Sequence, residues 1–255
     1  MSGLPLIAHQ FRYDQKVFWR NRASVFFTAL LPLMFLFLLA TVFGSAEIEG
    51  LGVDGATYYV PAIVALAVIS ATTVKLAINL PSERESGMLK RVRGTPLPAT
   101  AFIAGRVGNS IVISVVMVAL VAVVGKVVYG VPIPGSTMPA LMVTLLVGAF
   151  AFCCLGFALA AVIPSEDAAP AVTNATVLPL YFLSGVFIPE DELPEGVLKF
   201  ADLFPIRHFF EAVFTAWDPT TTGAGFEWGD LAVVAAWGLA GLVVALLAFR
   251  WEPRR

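Results

Sequence analysis

Charge is what this 255-residue chain has least of: 13% of its residues are Asp, Glu, Lys or Arg, against 58% hydrophobic ones. Soluble domains carry roughly a quarter charged residues, so a water-facing surface would here have about half its usual supply. A mean hydropathy of +0.86 excludes disorder, which needs low hydrophobicity and high charge. A net charge of −2 lacks the basic field that draws phosphates, which excludes a nucleic-acid binder. Cysteine is confined to the adjacent pair Cys153 and Cys154, unsuited to a disulfide framework or a zinc site. Histidine is confined to His9 and His208, so there is no H-E-x-x-H motif, and no G-x-x-x-x-G-K-[ST] loop exists to hold a nucleotide. Ser184, in Leu183-Ser184-Gly185, has no histidine within a span to serve as its base. The chain therefore reads as a polytopic membrane protein with no catalytic residue, metal site or cofactor of its own.

What is present in abundance is apolar length. A helix needs roughly 20 mostly apolar residues to cross about 30 Å of hydrocarbon, and six stretches qualify. They run from Ser24 to Phe43, Tyr58 to Leu80, Phe102 to Val128, Pro139 to Ile163, Ala168 to Ile188 and Leu231 to Trp251. Continuous runs such as Ile111–Val124 lack the alternation of a membrane β-barrel. Pro32, Pro170 and Pro179 fall inside spans, where neighbouring helices can absorb a kink. The first apolar run is too long for a cleavable signal and has no small-residue cleavage site, so none is expected.

Basic residues orient these spans. Twelve of the sixteen, among them Arg12, Lys16, Arg84, Lys90, Arg93, Arg106, Arg250 and Arg255, lie on the side holding both termini. Lys126, Lys199 and Arg207 lie opposite, and Lys75 lies within a span. Cytoplasmic loops collect Lys and Arg, which predicts both termini inside. The outer side is acidic, from Glu47, Glu49 and Asp54 to the run Glu190-Asp191-Glu192 and on to Asp230.

Three regions do not span. Leu4 to Arg22 sets Ile7, Phe11 and Phe18 on one helical face among arginines, which suits an interfacial helix on the inner leaflet or a topogenic flank. In the loop from Pro81 to Pro98, Pro81 is expected to end the second span, and Ser82 with Glu85 has the form of a capping box. A short charged helix with Met88, Leu89 and Val92 on one side would follow, stopped by Thr95-Pro96-Leu97-Pro98. It suits a docking element or a solvated spacer. The outer stretch from Pro189 to Gly229 is too long for an ordinary connection. Leu193, Val197, Phe200 or Ala201, and Phe204 recur at helical spacing, as do Ile206, Phe209, Phe210, Val213 and Phe214 after Pro205. Two amphipathic helices would dip into the leaflet or cap the bundle, or form a small ectodomain lying on the membrane.

Polar groups inside spans are costly and so become functional candidates. Lys75, with Thr72 and Thr73 beside it, lies about 8 Å from the inner end of its span, where it either lines a path or snorkels. Thr173, Asn174 and Thr176 either bond between helices or line a path. Gly148, Cys153, Gly156 and Ala160 have the spacing of a helix-packing face.

The segment Glu83-Arg84-Glu85-Ser86-Gly87-Met88-Leu89-Lys90-Arg91-Val92-Arg93-Gly94-Thr95-Pro96 resembles the E-R-E-x-G-x-L-x-x-L-x-x-[ST]-P motif of type-2 ABC exporter permeases, with Val92 where Leu is commoner. Asn174 to Pro189, with Leu183-Ser184-Gly185, is similar to that family's fifth span and following turn. The resemblance covers nearly the whole chain. It implies a single all-α permease domain: an interfacial helix over residues 1–23, spans one to five over 24–188, gate helices over 189–229, and span six with its tail over 230–255. It further implies a coupling helix over residues 82–94, with Glu83, Arg84, Glu85, Gly87, Leu89, Lys90 and Arg93 meeting a separate ABC ATPase. Two ATPase copies, which would bind ATP and Mg, and a second permease copy or close homologue would complete the complex, among membrane lipids and without nucleic acid. Thr72, Thr73, Lys75, Asn174 and Tyr181 are then the candidate path residues, and Phe200, Phe204, Phe209 and Phe210 the outer gate. The expectation is ATP-driven export of a lipophilic or amphiphilic substrate, a drug, lipid or lipid-linked glycan, across a bacterial cytoplasmic membrane. An ion-driven secondary transporter would instead need inverted repeats and midplane ionisable groups. A non-transporting assembly protein would show no ATP-dependent flux.

Overall fold

A computed structural model describes residues 3–45, 47–48, 52–189 and 193–248. Among them eleven α-helices account for nearly all regular structure. The first two are α1 (Gly3–Arg20) and α2 (Arg22–Val42), separated at Asn21, whose side-chain oxygen caps α2 by accepting from the Ser24 N–H. Two two-residue strands, β1 (Glu47–Ile48) and β2 (Val53–Asp54), pair antiparallel. Then follow α3 (Gly55–Ile69), a π-turn (Ser70–Val74) and α4 (Lys75–Glu85), which together make one continuous rod. Beyond it come α5 (Met88–Arg93), α6 (Ala99–Tyr129), α7 (Met138–Val162), α8 (Ala168–Leu183), α9 (Glu195–Ala201), α10 (Pro205–Trp217) and α11 (Trp228–Ala248).

Among the described residues five helices are long and apolar enough to cross a membrane: α2, the α3–α4 rod, α6, α7 and α11. The expected fifth span, Ala168 to Ile188, is a 16-residue helix, α8, followed by a turn. Gly185, at φ +82°, takes a left-handed conformation that ends helical propagation, and the Tyr58 hydroxyl donates to its carbonyl. The expected end of the last span at Trp251 lies outside the described residues. So do Glu49, the Glu190–Glu192 acids, Arg250 and Arg255.

The α3–α4 rod is the centre of the bundle, with thirteen consecutive residues from Tyr58 to Ser70 interrupted by no exposed position. Periodicity is absent there because helices surround the rod on every side. Glycines let neighbours close in. A Cβ on Gly156 of α7 would sit 3.0 Å from Leu76 Cβ and Thr73 Cα, and one on Gly125 of α6 would sit 2.7 Å from Val60. Gly238 and Gly241 of α11 lie against Ala151 and Leu155 of α7 in the same way.

Two expectations for the segment after the rod are corrected. Pro81 does not end the helix, which continues to Glu85, and Ser82 is therefore interior rather than a capping residue. The break comes at Gly87, φ +72°, a conformation that L side chains rarely adopt. The expected helix over residues 82–94 is thus the last turn of α4, a glycine hinge and the six-residue α5. Proline in a helix interior costs about 3 kcal/mol, so tertiary contacts must hold residues 82–85 in register.

Candidate coupling and transport site

Those contacts are made by Glu83, Arg84 and Glu85, each to a different partner. Glu83 accepts from an Arg106 guanidinium nitrogen of α6 at 2.6 Å. Arg84, 2% exposed, donates to the carbonyls of Ile163 (2.8 Å) and Pro164 (3.2 Å), where α7 has ended and its last carbonyls lack helical partners. Glu85 accepts from the Glu166 backbone N–H at 2.9 Å, in the α7–α8 loop. Arg106 reaches a second carboxylate, with its Nε 3.5 Å from Asp14 of α1, and Gln10 donates to both Asp14 oxygens at 3.0 and 3.1 Å. Burial pushes the Asp14 carboxyl above its ordinary range, against the opposing pull of Arg106 and then Gln10.

Asp14 and Arg106 were not legible as a pair. Arg106 reads as one more topogenic charge, yet Gln10, Asp14 and Phe18 stand at i, i+4 and i+8 and are the buried stripe of α1. A lone acid on the buried face of an otherwise basic helix is the signal that could have found it. The expected apolar positions Ile7 and Phe11 flank this stripe half-buried, and Phe11 lies over Gly108 of α6.

The clamp presents α5. Leu89, 1% exposed, anchors it among Leu76, Leu80, Phe102 and Phe157, while Lys90, Arg91 and Arg93 face outward. Between α1 and α5 lies a cavity of about 530 Å³ lined by His9, Tyr13, Met88 and Arg91. Of the expected coupling residues, Glu83, Arg84, Glu85 and Leu89 thus hold the segment to the bundle, Gly87 bends it, and Lys90 and Arg93 sit at its surface.

The candidate path residues do not share one cavity. The Thr72 hydroxyl donates to the Val68 carbonyl of its own helix and Thr73 to the Phe152 carbonyl of α7, at 2.6 and 2.7 Å. Tyr181 is buried with its hydroxyl 3.4 Å from that of Ser70. Lys75 lines a groove between α1, α2 and α4, whereas Asn174 lies on the exposed face of α8. Thr73 also borders an apolar cavity of about 310 Å³ with Leu180, Phe204 and Trp237.

At the acidic end α9 and α10 cap the bundle rather than forming a separate body. Phe209 sits on Gly148 of α7, where a Cβ would fall 2.1 Å from its ring, and lies 5.1 Å from Phe152. Gly148 is ten residues into α7, so the ring reaches about 15 Å below the start of that helix. Phe210 packs edge-on to Tyr58 at 5.5 Å, and Phe204 stacks on Trp237 of α11. Phe200 is exposed, and Ala201 takes the buried position beside it. His208 has Nδ1 2.6 Å from Asp230 and Nε2 2.8 Å from the Asp202 carbonyl. Burial disfavours charge on this ring, but the Asp230 hydrogen bond and the Asp202 carbonyl outweigh it and raise its pKa above 6.5. Among the described residues His208, Glu211 and Asp230 alone bring three ligand-type atoms within 4.8 Å, and these atoms are engaged with one another and with Arg207.

Long apolar helices around a buried rod, with a clamped, outward-facing basic helix at one end, are the architecture of a polytopic membrane protein. The chain belongs to the ABC-2 type transporter family, which matches residues 7–216. It is 20% identical to the putative transport permease YvfS of Bacillus subtilis (strain 168) over 88% of this chain and 89% of that one. It is 30% identical to the inner membrane transport permease YhhJ of Escherichia coli (strain K12) over 66% of this chain, a match spanning 45% of YhhJ. Identity is 27% to the daunorubicin resistance ABC transporter permease protein DrrB1 of Streptomyces coeruleorubidus, over 70% of this chain and 63% of that one. Membership makes the chain a multi-pass membrane permease subunit whose partner is an ABC ATPase.

Proposed function

We propose that the chain is the permease half of an ATP-driven exporter in a bacterial cytoplasmic membrane, with its basic end cytoplasmic and α8 as a sixth crossing. The stretch from Glu166 to Gly185 supports that sixth crossing, because its ends are tied to opposite ends of the α3–α4 rod through Glu85 and Tyr58. A second permease copy pairs with this one, and an ATPase subunit docks under each. Support for pairing comes from α8, which exposes Ala171, Asn174, Ala175, Leu178 and Phe182 along one stripe. An amide there finds no partner among acyl chains but would find one in another protein. The apolar cavities favour a lipophilic or amphiphilic cargo over a long polar one, and DrrB1's name associates that relative with daunorubicin resistance.

The observation that carries this reading is the Glu83-Arg84-Glu85 clamp. It ties the end of α4, from which the ATPase-facing α5 continues through Gly87, to α6, to the end of α7 and to the loop leading into α8. A displacement of α5 therefore moves three spans together. The test is Gly87→Pro, which replaces the left-handed hinge with a residue locked at φ near −65°. The variant is expected to insert and to retain its ATPase partner, while substrate-stimulated ATP hydrolysis and flux are lost. Wild-type flux from this variant would refute the assignment of the coupling helix.

A further inference from the structure

The groove between α1, α2 and α4, about 570 Å³ in volume, has an unusual wall. Lys75 Nζ is shut off from bulk solvent and makes no hydrogen bond among the described residues. Its near neighbour is the ring of Phe18, whose centre lies 4.3 Å away. A ring face attracts the charge but offers no lone pair to three N–H donors. On the same wall Arg106 Nε is taken up by its ion pair with Asp14, and Asn109 Oδ1 is an unmet acceptor. The two carboxylates beside them are already engaged, Asp14 by Gln10 and Arg106, and Glu83 by Arg106. The unmet demand is for an acceptor, and an unpartnered buried ammonium is among the costliest groups a fold can hold.

The shape of the groove says what kind of acceptor. Its flank on α2 carries Phe27 and Leu31, 65% and 43% exposed, and Val74 and Ile78 of the rod continue the apolar surface. The polar wall is reached from a lipid-facing side, alongside an amphipathic helix that suits the headgroup layer. We propose that this groove binds the phosphodiester headgroup of an anionic membrane amphiphile, with Lys75 as counter-ion and the acyl chains lying along α2. Lys75 and Arg106 face Asp14 and Glu83 in equal number, so the wall carries no excess charge and the attraction is a local one between the Lys75 ammonium and one phosphodiester oxygen.

The test uses the full-length chain in lipid nanodiscs, without ATPase or nucleotide, so its result is independent of the transport reading. Phosphatidylglycerol and phosphatidylcholine, each with a photoreactive acyl chain, are cross-linked and the labelled peptides mapped. Phosphatidylglycerol is expected to label the α2 peptide carrying Phe27 and Leu31 about tenfold more than phosphatidylcholine, whose identical phosphodiester is accompanied by a choline cation that Lys75 and Arg106 repel. Lys75→Gln removes that preference, and Lys75→Arg, verified by an unchanged thermal midpoint, keeps it. Equal labelling by both lipids, an undiminished preference in Lys75→Gln, or its loss in a stably folded Lys75→Arg would each overturn the proposal. Displacement of the lipid by millimolar inorganic phosphate would also overturn it, because the site would then recognise a free anion and not an amphiphile.

Discussion

At the basic end α4 is held by a guanidinium, two carbonyls and a peptide N–H, whereas at the acidic end the middle of α10 is held by rings seated on glycine and on other rings, with hydrogen bonds near its two ends, at His208 and Ala216. Hydrogen bonds weaken steeply when their angles open, so the first set resists any relative rotation of its elements. Dispersion between apolar faces has no such angular demand. Phe209 and Phe210 can shift over Gly148 and Tyr58 while staying in contact. An angularly constrained end at α4 thus stands against a more compliant apolar contact in the middle of α10.

Removing the shared guanidinium is the most direct way to break this contrast. Arg106→Ala leaves Glu83 and Asp14 buried without their counter-charge, and stability is expected to fall by about 3 kcal/mol. Unfolding in mixed micelles measures the loss, and limited proteolysis should find it centred on α1 and the α4–α5 hinge.

A smaller effect is expected at the other end. Gly148→Val places side-chain atoms inside the Phe209 ring, costing about 2 kcal/mol by overpacking. Adding Phe209→Ala should recover part of that loss, and a double-mutant cycle reads the coupling. Additive losses would show that the ring does not rest on this glycine.

The smallest effect sharpens the comparison through pH. Both acceptors of His208, the Asp230 carboxylate and the Asp202 carbonyl, are satisfied together only by the doubly protonated ring. Because its folded pKa is raised above 6.5, its contribution is complete below the unfolded value and is lost as pH rises through the folded one. The thermal midpoint should therefore decline across neutral to mildly alkaline pH, and His208→Gln should flatten that slope.

How much of this was written locally in the chain differs between the same two ends. The spans were legible because about 20 apolar residues have few other destinations in water; Met138–Val162 falls within one residue of its expected limits at both ends. The faces of α10 were legible too, since Ile206, Phe209, Phe210 and Val213 keep helical spacing. Its depth was not, because amphipathicity specifies a face and not what covers it. The clamp was the least legible. Glu83 meets Arg106 across 23 residues and Arg84 meets Ile163 across 79, distances that no local pattern encodes. Pro81 misled for the same reason: its local signal to stop is real, and remote hydrogen bonds override it.

The π-turn at Ser70–Val74 sets the register of everything below it. Lys75 N–H bonds back to the Ser70 carbonyl five residues earlier, so the rod accommodates one residue more than regular α-helical spacing would. One residue is about 100° of helical rotation, and α4 is turned by that amount relative to a rod without the wide turn. A chain one residue shorter there would be just as apolar and would enter the membrane as readily. Its Lys75 would swing off Phe18 and its Arg84 off Ile163, so five residues of odd spacing align the two halves of the rod.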